Sequence, residues 1–175
     1  MKTEDFDLRL AFVALFLASP VFAGDADDAM TALLNQCVTP LETAAEVGAG
    51  LTRAAPAMEA KLLDGKAAKL LRTDNPRVVV VVHDSGVTCE IMALGMVVSE
   101  FDVVFRDWLT AQPDYRVDVG AKMTDEGPGG AYIARKLPEA GYVQAFIQTH
   151  PESGFIGITV SRVETSAAAD ELFGE

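Results

Sequence analysis

Arg77-Val78-Val79-Val80-Val81-Val82-His83 is the stretch that decides the fold. Five consecutive β-branched residues stiffen χ1 and favour a pleated backbone. They are apolar on both faces, so the spacing predicts a strand covered from both sides, near the centre of a sheet. Asp84-Ser85-Gly86 then turns the chain, and Val87-Thr88-Cys89-Glu90-Ile91-Met92-Ala93 returns as its hairpin partner. Val87, Cys89, Ile91 and Ala93 share one face, which aims Cys89 into the core layer.

Reading outward towards the C-terminus, Val97, Phe101, Val104, Phe105 and Trp108 recur at helical spacing and predict a helix over 97–111. Asp102 and Arg106 are placed for an exposed pair on it. Gln112-Pro113-Asp114 stops that helix, and strict alternation from Tyr115 to Thr124 predicts a half-buried strand. Segments 131–137 and 141–149 form a hairpin, and 155–163 is the last strand, with 166–175 left as a flexible tail.

Towards the N-terminus, Met30, Leu33, Leu34, Cys37, Val38 and Leu41 make the apolar stripe of a helix capped by Asp27-Asp28 and interrupted at Pro40. Segment 66–72 reads as a strand or a helix end, and 51–65 carries little pattern. The expected architecture is α+β, a two-layer sandwich with an antiparallel sheet of about five to six strands. Its order is helix–ββ–helix–βββ(β), with the helices on one face, as a single domain over residues 24–165. In element order the central ββαβββ resembles profilin-like and PAS-like sensory folds, a resemblance of topology that implies no function.

Residues 10–18, LAFVALFLA, form an apolar run too short to cross a bilayer. Lys2 and Arg9 precede it, and Val21 and Ala23 stand where a signal peptidase reads small residues. This is the layout of a secretory signal over residues 1–23, with the mature chain opening at Gly24. The chain of 175 residues carries a net charge of −12, and loss of that signal removes Lys2, Arg9, Glu4, Asp5 and Asp7 and leaves −11. Such an acidic chain has no basic stripe for a nucleic-acid backbone and no second apolar span to anchor it in a membrane. The expected location is the bacterial periplasm or the outside of the cell. In that oxidising setting Cys37 and Cys89 most simply pair, closing a loop of about 52 residues worth ~4 kcal/mol. The rivals are a catalytic thiol and a metal site using His83 or His150 with the thiols, but the spacing lacks the short paired pattern of zinc sites.

No cofactor or metal motif is present, and catalysis has only one candidate set. His83-Asp84-Ser85-Gly86 holds the residue types of a hydrolytic triad, with His150 as a second base. A triad needs those groups to converge from separate chain positions, whereas Asp-Ser-Gly is ordinary turn chemistry. Asp25–Asp28 and Asp125-Glu126 lack the alternating spacing of a calcium loop and read as a helix cap and a turn. In segment 142–148, Tyr142, Gln144, Phe146 and Gln148 share a face opposite Val143, Ala145 and Ile147. With neighbouring Tyr132, Tyr142 and Phe146 have the composition of a recognition surface, unless other elements cover that face. The expected function is a non-enzymatic binding or accessory module taking a protein or a small molecule. A hydrolase using Ser85 with His83 or His150 is the alternative, and self-association into a homodimer through the sheet face a third reading.

Overall fold

The computed structural model describes residues 24–121 and 123–174. The proposed signal, residues 1–23, lies outside the described residues. The first helical rod, α1, runs from Asp25 through three consecutive stretches: Asp25–Ala32, a π-helical turn Leu33–Val38, and Thr39–Thr43. It is followed by β1 (Thr52–Arg53), α2 (Pro56–Leu63), β2 (Ala68–Arg72), β3 (Val78–His83), β4 (Thr88–Ala93) and α3 (Val98–Thr110). The chain ends with β5 (Tyr115–Ala121), β6 (Gly129–Lys136), β7 (Tyr142–His150), β8 (Phe155–Val163) and α4 (Ala167–Phe173).

Among the described residues the strands form a single eight-stranded sheet in the order β1-β2-β3-β4-β8-β7-β6-β5, with every neighbouring pair antiparallel. The α+β class is as expected, but the sheet is larger than five to six strands. The additions are β1 and β2. Ala-Lys-Leu-Leu-Arg of β2 is made of helix formers, and pairing with the valine strand overrides that local preference. From β4 at the centre, α3 carries the chain to the far edge. Strands β5 to β8 then step back, and β8 seats beside β4 from Thr88–Ser161 to Ala93–Ile156.

Helices cover both faces, which corrects the expected two-layer arrangement. On the inner face α1 and α3 bury Met30, Leu33, Cys37, Leu41, Phe101 and Phe105 against Val80, Ile91, Ile133, Ile147, Ile158 and Val160. On the outer face α2 places Leu63 over Leu70, Val79 and Val81. This is why a run of valines can be buried on alternate sides. At the other end of the same face, α4 sets Ala169 against Ala134 and Tyr142, with Leu172 and Phe173 beside them. Residues read from sequence as a tail are therefore ordered from Ala167 to Phe173. Ser166 caps this helix by accepting the Ala169 N–H at 3.3 Å, and Gly174 ends it in the left-handed region.

The π-helical turn has a local cause. Pro40 has no N–H to give to the Gln36 carbonyl, and the Gly48 N–H donates to that oxygen instead, at 3.2 Å. Gly48 takes φ +71°, and a Cβ there would collide with Leu71 Cδ1. Glycine is thus what lets the loop after α1 tuck under the helix. The Cys37–Cys89 disulfide joins this same stretch of α1 to β4, with Cα atoms 5.5 Å apart. In the last turn of α1, Glu42 accepts hydrogen bonds from the Tyr115 hydroxyl at 2.6 Å and from Arg135 at 2.9 Å, tying the helix to β5 and β6. Among the described residues no helix is long and apolar enough to cross a membrane.

Candidate functional site

On the outer face, α2 covers β2 and β3 while α4 covers one end of β6 and β7, leaving a strip of sheet open between them. Its floor is set by register. Tyr132 of β6 stands opposite Phe146 of β7, which stands opposite Thr159 of β8, which stands opposite Glu90 of β4. One row further along, Gln144, Ser161 and Thr88 follow in line, and Thr88 Oγ1 and Ser161 Oγ are 3.4 Å apart.

Phe146 is 46% exposed, yet its ring rests on Tyr132 with centroids 4.7 Å apart. The Tyr132 hydroxyl donates to Gln144 Oε1 at 3.0 Å, and the Ser166 hydroxyl donates to the same oxygen at 2.8 Å. The cap of α4 therefore fixes the amide that fixes the ring. Tyr142 shares the face but not the exposure. It is buried under α4, its ring 5.9 Å from Phe173 and its hydroxyl donating to Asp170 Oδ1 at 2.6 Å. Of the three residues expected to form a recognition surface, Phe146 and Tyr132 are at the open strip, and Tyr142 is packing for the helix that borders it.

Of the hydrolytic candidates, the fold sets His150 far from Ser85, while His83 stays beside the Ser85 turn. Ser85 is exposed in the turn closed by the Gly86 N–H on the His83 carbonyl at 2.9 Å. His83 lies 3.8 Å from Glu90 on the outer face. His150 pairs with Phe155 at the start of β8, while the end of β4 next to the Ser85 turn pairs with Ser161. Six strand residues, roughly 20 Å, separate those two ends. The sheet does not bring His150 to Ser85.

One cleft had no signal in the sequence. A space of about 710 Å³ opens between the start of α1 and the β2–β3 turn, lined by Asp25, Asp28, Asn35, Thr73, Asn75 and Arg77 among others. Asn75 donates to Asp25 at 2.8 Å and to Asp28 at 2.9 Å, and Arg77 pairs with Asp25 at 2.9 Å. The pattern Asp25–Asp28 reads locally as a helix cap and Asp74-Asn75-Pro76 as a turn. Only the tertiary fold joins them, and it spends their polar groups on each other. No protein-family model matches the chain, and no curated protein matches it.

Proposed function

We propose that the chain is exported through residues 1–23 and serves in the periplasm as a binding or accessory module without catalytic chemistry. The open strip around Phe146 and Tyr132 is its contact surface. One observation carries this reading: the Phe146 ring, about half exposed, rests on Tyr132, whose own ring is held in place by the hydrogen bonds of its hydroxyl and of Ser166 to Gln144. Rigid exposed aromatics flanked by amides suit contact with a partner because little side-chain entropy remains to be lost on binding. Support for export comes from the intramolecular disulfide, which persists in oxidising compartments, together with the signal layout of the first 23 residues.

The test places a photo-crosslinking phenylalanine analogue at position 146 in the native host, with Val103 as control. Val103 is 59% exposed on α3 and lies away from the strip. A discrete adduct at 146 and none at 103 supports the reading, and equal labelling at both positions, or none at either, overturns it. Export is read separately by N-terminal sequencing of the periplasmic fraction. A chain beginning at Gly24 is expected, and retention of residues 1–23 would contradict it.

A further inference from the structure

Strand β5 ends the sheet on the side opposite β1, and among the described residues only one of its edges is taken, by β6. A free strand edge presents a row of N–H and C=O groups to any strand of matching pattern. Along this edge Arg116, Val117 and Asp118 are all exposed, Val117 by 38%. Arg116 and Asp118 lie on the outer face, because they stand opposite Ala134 and Tyr132 of β6. Arg116 is kept at the edge: it donates to the Pro113 carbonyl at 2.9 Å and sits 5.7 Å from the centre of the Phe173 ring.

We propose that β5 pairs antiparallel with β5 of a second copy about a two-fold axis through Val117, joining two sheets into one. The order Arg-Val-Asp is self-complementary about its middle residue. A two-fold there sets Arg116 of each copy opposite Asp118 of the other, so the same attractive pair occurs twice. A slip by one residue brings neither pair together, and a parallel in-register pairing sets like charges face to face. Opposite charges directly across an antiparallel pair stabilise it and like charges destabilise it, which makes this register the favoured one. The register shift between Asp118 and Ala121 confines the pairing to the first part of the strand. The contact is therefore of the small, reversible kind. A two-fold perpendicular to the sheet keeps the outer faces on one side, so the Phe146 strips of both copies look the same way.

Sedimentation of the disulfide-bonded protein over about 5 to 500 µM, a range suited to small transient interfaces, tests this directly. A reversible monomer–dimer equilibrium is expected. Arg116→Asp or Asp118→Arg alone sets like charges opposite each other twice and weakens association by about tenfold or more. The double variant, Arg116→Asp with Asp118→Arg, restores it. Far-UV circular dichroism checks that each variant is folded, and recovery in the double variant separates lost pairing from lost structure. A wild-type protein that stays monomeric throughout, single variants that dimerise as the wild type does, or a double variant that stays monomeric would each overturn the proposal.

Discussion

Loss of the Cys37–Cys89 bridge is expected to remove about 4 kcal/mol of folding stability. The bridge spans 52 residues. In the chain-entropy relation a loop of that size removes about 14 cal/mol/K from the unfolded ensemble, or about 4 kcal/mol at room temperature. Both cysteines are completely buried, packed within the inner core. Replacing both with alanine therefore adds a packing loss of about 1 kcal/mol per sulfur to the entropic part. Two samples separate the contributions: wild type refolded under reducing conditions, and Cys37→Ala with Cys89→Ala. Urea unfolding followed by the fluorescence of Trp108 gives both the free energy and its denaturant slope. The slope should rise on reduction, because an unfolded chain freed of its loop exposes more surface. A reduced protein within about 1 kcal/mol of the oxidised one, with an unchanged slope, would refute the loop argument.

Tyr142→Phe removes the hydroxyl that donates to Asp170 and should loosen α4 alone. Hydrogen exchange should quicken about tenfold or more at the amides of 167–173 while those of β4 and β8 stay protected; uniform acceleration across the sheet would show that Tyr142 supports the whole core instead. Burial first, and then the hydrogen bond to Glu42, push the Tyr115 hydroxyl above its ordinary range. The unfolded chain therefore gives up that proton before the folded one does. Stability from this group is full below about pH 10 and falls as pH rises further. Urea midpoints measured from about pH 8 to about pH 11 should decline less steeply for Tyr115→Phe than for wild type, and identical slopes would exclude Tyr115 as the source.

The parts legible in the sequence are those with a strong local period or a single chemical solution. The valine strand, its hairpin, the aromatic stripe of α3 and the Asp102–Arg106 pair at 2.6 Å all stand where the spacing places them. The two cysteines meet because the stripe of α1 and the alternation of β4 aim both at one layer. What escaped depends on distant partners. Whether Tyr142 or Phe146 is wet is decided by α4, seven residues whose Ala-Ala-Ala-Asp-Glu-Leu-Phe reads as a weak tail until Ala169 meets Ala134. Segment 66–72, legible only as a strand or a helix end, is settled as strand β2 by β3 lying beside it. The π-helical turn follows from Pro40, but its register needs the Gly48 amide, which arrives from beyond the helix.

The seat of β8 beside β4 also sets a timetable. Thr88 and its cross-strand neighbour Ser161 are 73 positions apart. As the chain emerges from its N-terminus, β4 therefore waits for 73 further residues before its second edge is fully closed. Contacts of such long sequence separation are slow to form, and an unclosed central strand is a template for intermolecular pairing in the meantime. Both cysteines, by contrast, precede the whole β5–β8 meander. Oxidation can fasten α1 across β4 while the rest is still arriving, shielding one face of the most vulnerable strand until the last strand takes its place.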